Sequence, residues 1–583
     1  MPIKKRQKLV ASILMIVLLV VFAALIVQMA RIQIIDHDWY QKKATLQHLT
    51  KVNVPARRGP ILDRNGIKLA DSLRCSSVVA DPQLVEDKVV VAQQLSEILN
   101  LEKSEILKLL NKDKRFVWIK RKIAGVEEVN INRLNIKGIY TDNEYKRLYP
   151  NNELASHILG ITDIDGNGLE GVEYKFDRFL QGTDGHFVCE RDGQRRHINN
   201  INNREVAPQH GNGVVLTIDS VIQKAVEDAI DEAYYKWKAK SVVAIVMAIK
   251  TGEILAMANR PTFNPNIFQE YPKPNRKNRA ITDSYEPGSI IKPIIVGALF
   301  EKNLASPDEE IFCHNGAYRI GSRTLHDAHG MDNLSVADIV AKSSNIGMAK
   351  LGERLGNEGL YNCLANVGFG AKLNIGLPGE ASGMLRPVSL WTDYSLPSIT
   401  MGHEFSVTPL QFITAFSTIA NGGKLIRPFI VSAIITNDLK QVKRRVAYPT
   451  VVKDVMTAQV ARKMLNPILV RVVEGGTGKK ARIEEYSVAG KTGTAQKLDE
   501  NGYSHTKFIS SFVAYAPADN PKVCVLVMVD EPVKDEQNEG VLYGGTVAAP
   551  VVKDIIKKTL DHQKTVPFNS FHKTVSLLKR GYE

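Results

Sequence analysis

The stretch Tyr285-Glu286-Pro287-Gly288-Ser289-Ile290-Ile291-Lys292-Pro293 decides how the rest of this chain is read. A serine and a lysine three positions apart lie one turn apart on the same face of a helix. Pro287 and Gly288 break the preceding element. Pro293 lacks an N–H and is tolerated only near a helix's first turn, so a helix is predicted to begin close to Ser289. The Ser289 hydroxyl then stands at the positive end of a helix dipole, beside backbone N–H groups free to bind an oxyanion. A serine hydroxyl is a poor nucleophile until a neighbouring base takes its proton, and Lys292 is within reach. Lysine can act so only if burial or other cations lower its pKa. Such spacing alone is common on solvated helices, so partners elsewhere must decide the reading.

Two partners follow. Ser343-Ser344-Asn345 lies within Ala341–Gly347, and Lys491-Thr492-Gly493 lies within Val488–Ala495, which reads as a strand whose small residues let a substrate backbone lie against it. Ser-x-x-Lys, Ser-x-Asn and Lys-Thr-Gly, in that order, form the motif set of penicillin-recognising serine enzymes. On these residues the sequence resembles the class B penicillin-binding proteins, and most closely the division-type (septal) peptidoglycan D,D-transpeptidases.

That resemblance implies an α+β fold with three parts. They are a membrane anchor, an elongated non-catalytic pedestal domain of the dimerisation type, and a penicillin-binding serine transpeptidase domain. The last has an antiparallel five-stranded sheet flanked by helices plus an all-helical subdomain. It also implies acyl transfer on peptidoglycan stem peptides, with Ser289 as nucleophile, Lys292 as base and Ser343 as proton relay. Asn345 would hold the substrate's amide, Lys491 and Thr492 would set the local field, and Thr494, beside Gly493, would bind the terminal carboxylate. The backbone N–H groups of Ser289 and Thr494 would form the oxyanion hole. No cofactor and no metal are implied. The implied partners are β-lactams, a separate multi-span glycan polymerase and other division proteins. Glu353 to Asn357 imitates the deacylating loop of class A β-lactamases but follows Asn345 by only eight residues, too near for that separate loop. This favours a transpeptidase over a β-lactamase. An elongation-type transpeptidase, a membrane-bound β-lactam sensor and an inactive division scaffold are the alternatives.

With 583 residues the chain is long enough for a large core plus a second module. Its net charge of +14 is spread throughout and carries no aromatic-interleaved basic motif, which argues against nucleic acid. The five cysteines are odd in number and lack metal spacing, so they make neither a disulfide framework nor a metal site. Lys4, Lys5, Arg6 and Lys8 precede an apolar run from Leu9 to Val27, close to the ~20 residues that span a bilayer and longer than a signal-peptide core. The expectation is an uncleaved single span in the inner (plasma) membrane, its basic flank cytoplasmic and the rest extracytoplasmic.

The expected boundaries are a basic tail at 1–8, the anchor at 9–29, the pedestal at 30–205, the transpeptidase domain at 206–562 and a loosely held tail at 563–583. Ile61 to Gly66 reads as a strand running into an Asp-Arg-Asn-Gly turn, and the phrase Arg57-Arg58-Gly59-Pro60-Ile61-Leu62-Asp63-Arg64-Asn65-Gly66 resembles the start of the family's pedestal. Leu95 to Leu110 reads as helical and 190–212 as a polar hairpin tip, while Gly168 to Gly185 resembles the family's link from pedestal to catalytic domain. The region before the catalytic domain is pedestal-sized, too short for a glycan polymerase. Several motifs fall away. Asp163 to Gly168 imitates half an EF-hand, but Tyr174 stands where the bidentate glutamate belongs. Lys250-Thr251-Gly252 reads as a hairpin turn, and Gly475 to Lys480 misses a phosphate loop at Val473 and Lys480. His326-Asp327-Ala328-His329 lacks a further metal ligand, and His403 is given no role.

Overall fold

The structure, a computed structural model, describes residues 2–191, 197–198, 205–500, 502–534 and 542–565. The expected tail beyond Thr565 and much of the 190–212 tip lie outside these residues. The described chain forms two units, 1–56 with 183–210 and 57–182 with the remainder.

In the first unit, helix α1 (Pro2–Ala30) is the one described helix long and apolar enough to cross a membrane. Its apolar side chains from Leu9 to Met29 are exposed, as a lipid-facing helix requires. Strand Leu49–Val54 pairs antiparallel with Gly185–Arg191, which also pairs with Glu205–Val206. The Asp184 carboxylate accepts from Asn53 Nδ2 (2.9 Å) and from the Ala56 N–H (2.7 Å).

The second unit begins at the arginine pair. Ile61–Leu62 is the expected strand, and the Asp63 carboxylate accepts from the N–H groups of Asn65 and Ile67 to close the Asp-Arg-Asn-Gly turn. Arg58 and Arg147 both donate to the fully buried Glu173 (2.7 and 2.6 Å), while Arg58 also reaches Asp177 (2.6 Å). The segments read as pedestal start and domain link are thus joined by buried charge. The predicted helical run at 95–110 is two helices, Lys88–Leu99 and Lys103–Leu110. Asn100 between them takes a left-handed conformation (φ 51°), which asparagine tolerates at a helix end. Strand Gly213–Leu216 pairs in parallel with Ile61–Leu62 and antiparallel with Val431–Ile435, so one sheet runs across the expected domain boundary.

Helix α2 (Ser220–Lys236) starts at the predicted cap, where Asp219 accepts from Val221 N and Ile222 N. The central sheet then forms from β1 (Ser241–Ala248), β2 (Ile254–Arg260), β3 (Ala489–Asp499), β4 (Gly502–Ala516) and β5 (Val523–Asp530). The order is β2-β1-β5-β4-β3, antiparallel throughout, with β3 at an edge. Alternate residues of β1 face opposite layers. Val242, Ala244 and Val246 pack with Ile222, Val226 and Ile230 of α2 and with Val552 and Ile556 of the last helix, Ala549–Thr565. Val243, Ile245 and Met247 join the larger helical core around Phe412 and Phe416. Sheet strands buried on both faces read as continuous apolar runs, which is the pattern of Val242–Ile249 and Val523–Val529. The helical region also carries two short ribbons, Glu310–Phe312 with Asn333–Ser335 and Ala317–Ile320 with Arg323–His326.

Candidate active site

Ser289 lies in a single 3₁₀ turn, Gly288–Ile291, that runs into α3 (Lys292–Glu301) with Pro293 in its first turn. Gly288 has φ +59°, and a Cβ there would sit 3.2 Å from the Ala495 Cβ, so the turn lies directly against β3. One turn on, Lys292 is fully buried. Its Nζ donates to Ser343 O (2.8 Å), Asn345 Oδ1 (2.9 Å) and Ser344 O (3.1 Å), with Ser343 Oγ at 3.4 Å.

The second motif occupies a break between two helices. Helix Val336–Lys342 ends at Ser343, which takes a left-handed conformation (φ 66°), and α4 (Asn345–Asn366) begins after Ser344. The Ser344 hydroxyl accepts from Gly347 N (3.0 Å), a side-chain cap. A non-glycine residue at positive φ is uncommon, and here it turns the Ser343 side chain toward both lysines.

Lys491, on edge strand β3, is also fully buried and donates to Ser343 Oγ (3.0 Å) and to Thr492 O (3.0 Å). One hydroxyl therefore receives two amines. Alternation along β3 sends Thr492 and Thr494 to the opposite face. Thr492 Oγ1 hydrogen-bonds Thr477 Oγ1 (2.7 Å), and Thr494 Oγ1 accepts from Gly544 N (3.1 Å). Gly493 packs inward, where a Cβ would sit 2.5 Å from Ser511 Oγ and 2.8 Å from Ile290 Cγ2. Its place is packing against the Ser289 turn. The Asn345 amide is occupied at both ends, by Lys292 Nζ and by the His326 carbonyl (3.2 Å from Nδ2). Among the described residues the Ser289 hydroxyl has no hydrogen-bond partner.

Burial lowers the Lys292 pKa to about 7, with the charge of Asp327 acting against it. Burial, then repulsion from Lys292, also pushes Lys491 well below its ordinary value. Repulsion between two ammonium groups is mutual, and two amines on one hydroxyl do not both hold a full positive charge cheaply. Lys292 in the observed geometry has three close oxygen acceptors, the arrangement of an ammonium. Loss of one proton frees a lone pair one helical turn from Ser289.

Sequence reasoning missed several residues that shape this site. Asp327, weighed only as a possible metal ligand, accepts from the Ser344 hydroxyl and from two backbone N–H groups at the start of α4. Thr477 sits in the segment weighed as a phosphate loop. His403 Nδ1 pairs with Glu286 Oε2 (2.8 Å), and Tyr503 OH donates to Glu286 Oε1 (3.2 Å), linking the β3–β4 hairpin to the Ser289 turn. None of these carries a local sequence signal, because each partner is distant along the chain. A cavity of about 390 Å³ lined by His157, Glu170, Phe263 and Arg276 contains none of the motif residues. The chemistry places the site at the meeting of the Ser289 turn, α4 and β3 instead.

The sequence of residues 242–557 matches the penicillin binding protein transpeptidase domain, and residues 53–216 match the penicillin-binding protein dimerisation domain. The chain belongs to the penicillin-binding protein transpeptidase family. It is 32% identical over 555 residues to the probable peptidoglycan D,D-transpeptidase PenA of Neisseria gonorrhoeae, covering 94% of this chain and 92% of that one. To the peptidoglycan D,D-transpeptidase FtsI of Escherichia coli it is 31% identical over 541 residues, covering 92% and 88%. The solved structure of penicillin binding protein 3 from Mycobacterium tuberculosis, complexed with aztreonam, is similar to it with a TM-score of 0.68 and 28% identity, covering 89% of this chain and 98% of that one. The fold expected from the motif set, two family domains with a mixed α+β architecture, is the one found. In this chain Ser289 and Lys292 span the 3₁₀ turn and the start of α3, Ser343 and Asn345 flank the break before α4, and Lys491, Thr492 and Gly493 lie on edge strand β3.

Proposed function

We propose that this protein is a division-type peptidoglycan D,D-transpeptidase that works through a Ser289 acyl-enzyme and is inhibited covalently by β-lactams. The observation that carries the reading is the Ser343 hydroxyl held between two fully buried lysine amines beside the turn of Ser289. The neutral Lys292 amine takes the Ser289 proton as Oγ attacks the carbonyl between two terminal D-alanines. Ser343 passes its proton to the departing D-alanine amine and is reprotonated by Lys292, so the C–N bond breaks as the ester forms and Lys292 returns to the free amine. The amine of a second stem peptide then attacks the ester, forming the cross-link and returning the Ser289 hydroxyl. The N–H groups of Ser289 and Thr494 hold the oxyanion, each such donor contributing about 3–4 kcal/mol in the transition state. The open edge of β3 receives the extended donor peptide by strand addition, Asn345 exchanging a present partner for its amide. Lys491 shapes the field, Gly493 keeps the Ser289 turn against β3, Thr492 braces the strand through Thr477, and Thr494 takes the terminal carboxylate at the strand's edge by giving up its contact with Gly544 N.

In this reading 1–8 is cytoplasmic, 9–29 spans the inner membrane, 30–205 is the pedestal, 206–562 is the extracytoplasmic catalytic domain and 563–583 a tail. The basic flank Lys4 to Lys8 supports the orientation. The exposed apolar face of α1 is the surface offered to a multi-span glycan polymerase and other division proteins. Incubation with a fluorescent penicillin, followed by mapping of the modified residue, tests the assignment. Wild type is expected to be labelled at Ser289 and Ser289→Ala to be unlabelled. Labelling that survives the substitution removes the assignment.

A further inference from the structure

Asp327 follows the ribbon strand Arg323–His326 and belongs to none of the three motifs. Its Oδ2 accepts from Ser344 Oγ at 2.6 Å, and its Oδ1 accepts from the N–H groups of Asn345 and of Ile346 (3.1 Å). The neighbouring His326 carbonyl accepts from Asn345 Nδ2. Two consecutive residues therefore grip the backbone and side chains of the segment whose oxygens receive Lys292. Those oxygens are Ser343 O, Ser344 O and Asn345 Oδ1. The first turn of α4 already has a cap in Ser344, so Asp327 is an added anchor, and a charged one at a helix N-terminus. Ser343 sits at a left-handed φ, a conformation that persists only where the surroundings hold it. Asp327 supplies that hold on the residues immediately after it.

We propose that Asp327 is a positioning residue for acylation, its carboxylate fixing the Ser343–Asn345 turn and through it the place of the Lys292 amine and the Asn345 side chain. This role rests on the reading of Ser289 as the acylated serine. Asp327 also acts on Lys292 through space, since its negative charge favours the ammonium and opposes the effect of burial. The titratable groups that face Lys292 are Asp327 and, from β3, Lys491. Those that face Asp327 are Lys292 and, across Ser344, the Cys313 thiol. Removing the carboxylate charge therefore has two separable effects. It loosens the turn, which lowers the rate at every pH, and it lets Lys292 lose its proton at a lower pH.

The test is the second-order rate of acylation of the full-length protein by a fluorescent penicillin across pH 5.5–9, with the thermal midpoint measured in parallel. Asp327→Asn keeps size and removes charge, so the plateau rate is expected to fall roughly tenfold or more and the pH midpoint to move down. Asp327→Glu keeps charge and displaces it by one methylene, so its rate should fall while the midpoint stays at the wild-type position. An Asp327→Asn protein that acylates within about twofold of wild type, with an unmoved midpoint, overturns the proposal. So does a rate loss accompanied only by a lower thermal midpoint with the pH profile unchanged, which is the signature of a purely structural contact. Should Asp327→Asn fail to fold, Ser344→Ala removes one of the three contacts and keeps the charge. It is expected to slow acylation several-fold, and an unchanged rate overturns the proposal. Label persisting in Ser289→Ala overturns the reading of the site itself, and is distinct from each of these results.

Discussion

Near neutral pH the Lys292 amine is divided between two forms, because burial in the junction of α3, α4 and β3 brings its pKa down to about 7 from an ordinary 10.5. The sign follows directly. Below that value the group is an ammonium held by three oxygens, and in the proposed mechanism only the free amine present above it takes the Ser289 proton. Acylation of Ser289 is therefore expected to rise with pH through about 7 and to level off above it, as followed by fluorescent-penicillin labelling under stopped-flow conditions. A rate that stays flat from pH 5.5 to 8.5 is incompatible with Lys292 as the titrating base. The Ser289 and Lys292 spacing was legible in the sequence, since it needs only a helix. That Lys292 spends its hydrogen bonds on Ser343, Ser344 and Asn345 was not, because those partners lie some fifty residues on.

At the scale of elements, the site depends on how closely the Ser289 turn approaches edge strand β3. Gly493 is the point of closest fit, wedged between Ser511 and Ile290. A methyl group there meets two side chains at well under contact distance, and the cheapest relief is to move the 3₁₀ turn outward. Gly493→Ala is expected to cost about 1–3 kcal/mol of stability, as overpacking does, and to slow acylation more than the stability loss accounts for. Denaturant unfolding and labelling rate on the same preparation check both. A normal rate in a folded Gly493→Ala protein would mean the turn and strand tolerate separation. The strand itself was readable from Val488 to Ala495, and its small residues suggested a close approach. What approaches it in the structure is the Ser289 turn, and no periodicity announces that.

For the second unit as a whole, buried charge ties together segments that are distant along the chain. Glu173 accepts from Arg58 and Arg147 with none of the three exposed to solvent, and Tyr149 OH donates to it as well (3.3 Å). Removing Glu173 leaves the buried Arg147 without its carboxylate and Arg58 with Asp177 alone, which is where the cost lies. Glu173→Ala is expected to destabilise the protein by about 3–5 kcal/mol, read from urea unfolding. A change below about 1 kcal/mol would show that water or a rearranged Asp177 replaces the lost carboxylate. Because Ile61–Leu62 also pairs with Gly213–Leu216, the loss should be felt beyond the Glu173 cluster.

The elements, and the chemistry they could carry, were legible in the order of residues. Proline and glycine set the start of the Ser289 turn, Asp219 capped its helix, apolar runs marked strands buried on both faces, and three short motifs named a family. Those features are local, encoded in residues a few positions apart. Packing across the chain settled the rest: that Ser343 would receive two lysines, that Asp327 would anchor the start of α4, that His403 would pair with Glu286, and that Gly493 would serve packing. Each of these depends on groups brought together from across the chain, where burial sets their charge and distance sets their bonding, and neither quantity is written in the order of residues.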